Sequence, residues 1–170
     1  MKVLVVSASK HGATKGIATT IATALRRVGL EADDRDPIEV HDLEGYDAVI
    51  IGSAVYAGEW LPEANEFIAR FEAALQRKPV WLFSSGPIGD PPLPGEEPKA
   101  VERLMAQLLP RGHRTFAGRL ERAHLGFMER QVARLMHAPF GDYREWPAIR
   151  AWAQEITAAL GRAASVPSID

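Results

Sequence analysis

The chain has 170 residues, enough for one domain with a core covered on both sides and too few for two substrate-sized domains. Its 20 Lys and Arg against 22 Asp and Glu leave a formal charge of −2, which does not support the basic footprint of a general nucleic-acid binder. A cysteine count of 0 excludes disulfides, iron–sulfur clusters, thiol catalysis and Cys-built zinc sites, so any redox chemistry must reside on a bound cofactor.

Short β-branched runs alternate with helical patterns. Val3-Leu4-Val5-Val6 is a continuous apolar run, read as a strand buried on both faces and stopping at Ser7-Ala8-Ser9. Met1 to Ser7 is too short and too β-branched for a signal peptide, and no apolar run reaches the length of a membrane span, so the expectation is a cytoplasmic protein. Thr14 to Val28 has helical spacing, with Gly29 placed as its C-cap. Leu30 to Arg35 reads as a weaker strand near an edge, and Pro37 to Glu44 leaves room only for a turn. Asp47 to Gly52 is a second buried strand, Pro62 to Leu75 a helix with Pro in its first turn, and Pro79 to Phe83 a third core strand. Pro87 to Pro98 is a Pro- and Gly-rich loop, and Lys99 to Leu109 a helix ended by Pro110. A strand over His113 to Leu120, a helix over Arg122 to His137 and a final helix over Pro147 to Leu160 complete the order. The expectation is a single domain over 1–162 with a frayed tail over 163–170.

This alternation builds an α/β fold: a five-stranded parallel sheet in the order 2-1-3-4-5 with helices on both faces. Ligands of such sheets sit beyond the carboxyl ends of the strands at the switch point, which directs attention to the loops after Val6, Gly52 and Phe83.

The first loop, Ser9-Lys10-His11-Gly12-Ala13-Thr14, places hydroxyls and a glycine at a helix start, where unpaired N–H groups and the helix dipole favour an anion. One helix start implies one phosphate group. The alternative is that Ser9 or Thr14 merely caps the helix while Gly12 turns the chain. The dinucleotide fingerprint fails because this region holds only Gly12 and Gly16, and Asp33 or Asp34, where a ribose-binding acid would stand, reads as a solvated turn. The Lys-Ser or Lys-Thr of a Walker loop is absent. His11 reads as charge or hydrogen bonding beside the phosphate rather than as a catalytic acid or base.

The second loop, Gly52-Ser53-Ala54-Val55-Tyr56-Ala57-Gly58-Glu59-Trp60, leaves room for a flat ring, on which Tyr56 and Trp60 would stack; packing on the neighbouring helix is their alternative role. The third, Ser84-Ser85-Gly86-Pro87-Ile88-Gly89-Asp90, again joins hydroxyls and glycines to a fixed turn.

Together these loops resemble the flavodoxin family, with His11 where Thr is more usual in its phosphate loop. Gly52 to Gly58, Phe116-Ala117-Gly118-Arg119-Leu120 and the approach to Asp142-Tyr143-Arg144-Glu145-Trp146 resemble the branch that includes menaquinone-dependent protoporphyrinogen oxidases. The resemblance implies the flavodoxin-like three-layer sandwich and FMN as cofactor. Ser9, Lys10, His11, Gly12, Ala13 and Thr14 would hold its phosphate. Ser53, Ala54, Val55, Tyr56, Ala57, Gly58, Ser84, Ser85, Gly86, Pro87, Ile88 and Asp90 would border its ring. The flavin would carry the electrons and the protein would bind and orient it; no side chain is assigned as a catalytic acid or base and no metal site is expected.

Three functions follow from this reading: an FMN-dependent oxidoreductase acting on a small aromatic substrate or quinone, a non-enzymatic flavodoxin-type electron carrier, and a flavin-free interaction domain. Carriers are usually strongly acidic, which the charge of −2 does not match. The Arg122 to His137 helix is basic and amphipathic, suited to a membrane surface; its few arginines favour covering the sheet or forming a homodimer contact.

Overall fold

The computed structural model describes residues 1–86, 99–120 and 141–164. The Pro87 to Pro98 loop and the Arg122 to His137 helix of the sequence reading lie outside these residues. β1 (Lys2–Ala8) leads through a loop to α1 (Ala13–Arg27), then β2 (Glu31–Arg35), a 3-10 turn (Pro37–Glu39) and β3 (Ala48–Tyr56). A short β4 (Glu59–Trp60) folds back on β3, followed by α2 (Pro62–Leu75), β5 (Val80–Ser85), α3 (Lys99–Leu108) and β6 (Gly112–Phe116). β7 (Arg119–Leu120) and β8 (Gly141–Asp142) form a separate antiparallel ribbon before α4 (Trp146–Ala164).

The parallel strands run β2-β1-β3-β5-β6, the 2-1-3-4-5 order once the two-residue β4 is set aside. Alternation along β1 explains both layers. Val3 and Val5 pack with Ile17, Ile21 and Leu25 of α1 and with Ile149, Trp152 and Ile156 of α4. Leu4 and Val6 face the other way, into a core with Phe67 and Ile68 of α2 and Leu104 of α3. A strand with a hydrophobic layer on each side must be apolar at every position, which is why Val3 to Val6 shows no polar alternation.

Four sequence expectations change. The strand read as Asp47 to Gly52 continues to Tyr56, because Ser53 and Ala54 pair with Ser84 and Ser85 of β5 and Val55 pairs with Trp60 of β4. Small polar residues suggested a loop there, and sheet pairing overrides that composition. The strand read as Pro79 to Phe83 likewise extends through Ser84 and Ser85. The single strand expected over His113 to Leu120 is two: β6 ends at Phe116, whose carbonyl accepts from Gly86 N at 2.9 Å, and Arg119 pairs with Asp142 instead. Finally, Asp33 and Asp34 lie within β2, not in a turn.

Both of those acids are engaged. Asp34 accepts from Lys15 Nζ at 2.8 Å and Thr19 Oγ1 at 2.7 Å, tying the sheet edge to α1. Asp33 accepts from the Tyr46 hydroxyl at 2.7 Å and lies 3.1 Å from Lys2 Nζ. The Tyr46 hydrogen bond, helped by Lys2, holds the Asp33 carboxyl below its usual range. A lowered folded-state pKa stabilises the fold above the unfolded value and loses that contribution as pH falls through the folded one. Asp33→Asn therefore lowers stability by about 1 kcal/mol at neutral pH, the worth of one hydrogen bond to a charged, partly exposed group. In denaturant titrations the gap from wild type closes on acidification through and below the carboxylate range; a gap that stays constant with pH contradicts the assignment.

Candidate functional site

A cleft opens at the carboxyl ends of the central strands. Its walls are Ser9, Lys10, His11, Ala13 and Thr14 from the first loop, Ala54, Val55 and Tyr56 from the end of β3, and Ser85 and Gly86 from the end of β5. Gly118 and Arg119 complete its lining. The structure thus brings residues from all three loops named by the sequence into one concavity.

The floor of this cleft is an uncapped helix start. Gly12 is the N-cap residue of α1 at φ +77°, a left-handed conformation in which a glycine carries no Cβ penalty. Gly16 N donates to Gly12 O at 3.1 Å to begin the helix, and no side chain caps it. Ser9 and Thr14 are therefore not capping residues. Their hydroxyls, with that of Ser7, are buried and have no hydrogen-bond partner among the described residues; Thr14 is 0% exposed. A buried polar group without a partner costs about 1–3 kcal/mol. Such groups beside the N–H donors of a helix start can be satisfied by a polar, anionic group. Positive charge surrounds it. Lys10 Nζ lies 5.5 Å from the Tyr56 ring centroid, Arg119 Nη2 donates to His11 O at 3.5 Å, and Arg144 Nη1 donates to Ala13 O at 3.4 Å.

The ring-bordering residues divide into walls and supports. Tyr56 is 44% exposed on the cleft wall, and it also borders a second cleft of about 430 Å³ with Lys10, Leu61 and Glu63. Ala57 and Gly58 form the two-residue turn into β4, both at positive φ (51° and 81°), as a type I′ hairpin requires. Ala57 is strained there, since only residues without a Cβ adopt that region freely. Ser53 does not present its hydroxyl to the cleft: Oγ accepts from Leu61 N and donates to Ala54 O, each at 2.9 Å. Ser84 is buried and accepts from Trp60 Nε1 at 2.9 Å, with His113 Nε2 at 3.0 Å. Trp60 is 2% exposed and packs in the core under α2, so it offers no stacking face. Gly52 makes room for the Phe83 ring rather than for a ligand. Pro87, Ile88 and Asp90 lie outside the described residues.

Gly118 and Arg119 were not among the cofactor contacts expected from the sequence. The available signal was position: they follow directly on the last strand of the parallel sheet, where ligands of this architecture sit.

A parallel sheet in this order, with helices on both faces and a cleft at the switch point beside an uncapped helix start, is a doubly wound α/β domain. The family model described as Flavodoxin domain matches residues 4–145, and the chain belongs to that family. Protoporphyrinogen IX dehydrogenase [quinone] of Escherichia coli strain K12 is 26% identical over 171 residues, spanning 92% of this chain and 94% of that protein. Among solved structures, rubredoxin oxygen:oxidoreductase of Desulfovibrio gigas superposes with a TM-score of 0.68 at 16% identity, over 97% of this chain but only 37% of that longer one. A flavodoxin of Pseudomonas aeruginosa, solved as a cysteine-to-serine mutant, superposes with a TM-score of 0.60 at 18% identity, over 95% of this chain and 99% of its own. These structural likenesses establish the fold.

Proposed function

We propose that the cleft holds FMN and that the protein is an FMN-dependent oxidoreductase, exchanging electrons with a quinone or another small aromatic substrate. The observation that carries this reading is the pair of buried, unsatisfied hydroxyls of Ser9 and Thr14 at the uncapped start of α1. Ser9, Lys10, His11, Gly12, Ala13 and Thr14 would take the phosphate, while Ala54, Val55, Tyr56, Ser85 and Gly86 would border the ring. Ser53 and Ser84 would act from behind the wall, holding the ends of β3 and β5 in place through Leu61 and Trp60. FMN when bound supplies reversible transfer of electrons singly or in pairs; the chain supplies binding, orientation and control of water access.

The dehydrogenase relative, covered over 94% of its length, supports a porphyrinogen donor and a quinone acceptor. In that reaction the porphyrinogen loses hydrogen and the quinone takes up an electron pair and its protons as a quinol. Among the described residues no helix is long and apolar enough to cross a membrane. A second reading, a flavodoxin-type electron carrier, is favoured by the full-length superposition on the Pseudomonas aeruginosa flavodoxin. Anaerobic turnover separates the two. Oxidation of protoporphyrinogen coupled to reduction of a menaquinone analogue supports the enzyme. Flavin that exchanges electrons only with protein partners supports the carrier.

A further inference from the structure

We propose that Arg119 supplies the positive charge by which the cleft selects a phosphorylated flavin over an uncharged one; this deepens the FMN reading above and rests on it. Arg119 arrives from outside the main sheet. It sits on β7, paired with Asp142 of β8, and Tyr143 N donates to Gly118 O at 3.1 Å to extend the ribbon.

That ribbon is fastened to the start of α1. Arg144 Nε and Nη2 donate to the two oxygens of Asp142 at 2.8 and 2.5 Å, and Nη1 reaches Ala13 O. The Arg144 guanidinium lies 4.4 Å from the Trp146 ring centroid, and the side chain is 8% exposed. Gly16 permits this seat, since a Cβ there would fall 2.5 Å from Arg144 Nη1. The fastened ribbon leaves Arg119 Nη2 3.9 Å from where a Cβ on Gly12 would lie.

The charges then sort themselves. Hydrogen bonds from Arg144, with Arg119 nearby, hold the Asp142 carboxyl below its usual range, so it is an anion at neutral pH. Asp142 offsets Arg144, which it meets through both oxygens. Arg119 brings a guanidinium to the loop, a planar fork of N–H donors with Nη2 already turned toward His11 O. The buried hydroxyls of Ser9 and Thr14 independently mark the same spot as the seat of a polar group.

The test measures binding of FMN and of riboflavin to flavin-free protein by fluorescence quenching across a range of salt. Arg119→Ala weakens FMN by about 10- to 100-fold, the worth of a charge-assisted hydrogen bond, and leaves riboflavin within about twofold. It also flattens the salt dependence of FMN affinity. Arg119→Lys restores part of the loss, because the charge returns without the planar fork. Arg119→Gln, which keeps much of the stem, follows Ala and guards against a folding artefact. An equal loss for both flavins, or unchanged FMN affinity, overturns the role of Arg119 while the cofactor reading stands. Wild-type protein that binds neither flavin overturns the cofactor reading and this role with it.

Discussion

Gly12→Asp abolishes FMN binding and leaves the fold intact. The space at Gly12 is open: among the described residues, the atom near a Cβ placed there is Arg119 Nη2, at 3.9 Å. No core residue has to move, and the cost to the free protein is the left-handed backbone at φ +77°, about 1 kcal/mol for a residue that carries a Cβ. The cost to the complex is larger. Two like unit charges about 4 Å apart at an effective dielectric constant near 20 repel by about 4 kcal/mol. The carboxylate also competes for Arg119. FMN affinity is expected to fall by more than about 100-fold, where a full 4 kcal/mol corresponds to about 1000-fold. Gly12→Asn imposes the same backbone and nearly the same volume without charge, and its loss is expected to stay at about tenfold, set by crowding of the anion, since the backbone strain is common to free and bound protein. Calorimetric titration with FMN distinguishes them. Similar affinities for the Asp variant and wild type contradict the placement of an anion at this loop.

Gly52→Ala carries the largest expected effect on stability. A Cβ at Gly52 would lie 2.0 Å from Cζ of the Phe83 ring, which is wholly buried. The ring has nowhere to go: its centroid is 6.2 Å from both Phe116 and Trp152, and those two are 5.6 Å apart in edge contact. Overpacking of this kind typically costs about 1–3 kcal/mol and more where neighbours are locked, a large share of the roughly 5–15 kcal/mol that holds a domain folded. Gly52 is also paired with Phe83 across β3 and β5, one step before Ser53↔Ser84 and Ala54↔Ser85. A shift there moves the cleft wall, so FMN affinity falls along with stability. Shrinking the ring relieves the clash: in denaturant unfolding, Gly52→Ala with Phe83→Leu loses less than the sum of the single changes. Strict additivity, or a loss below about 0.5 kcal/mol for Gly52→Ala, contradicts the packing described.

The strand order was legible because Val3 to Val6, Ala48 to Ile51 and Val80 to Phe83 are continuous apolar runs, a pattern that only a sheet covered on both faces needs. The place of the first loop was legible: Gly12 turns the chain into α1, and Ser9, Lys10, His11, Ala13 and Thr14 line the cleft. The roles of individual residues in the second and third loops were less so. Ser53, Ser84 and Gly52 have the small, polar composition of a ligand loop, yet they continue strands, and their partners are Leu61, Trp60 and Phe83. Those partners are distant in sequence, so composition alone does not reveal them. For Trp60, stacking on a ring and packing on the neighbouring helix were equally open from composition, and the hairpin turns it into the core. Asp33 and Asp34 looked like a solvated turn, and each proved to hold a tertiary contact. Arg119, which also lines the cleft, was passed over because the contacts that seat it are distant in sequence: the pairing with Asp142 and the anchor at Arg144 put it against the loop.

Titration of flavin-free protein with FMN and with riboflavin, followed by visible absorption and flavin fluorescence, tests phosphate capture at Ser9 to Thr14 most directly. The expected result is saturation at one FMN per chain, with riboflavin bound at least about 100-fold more weakly because it lacks the anion that the helix start and Arg119 address. Equal affinity for the two flavins, or no binding of FMN, contradicts it.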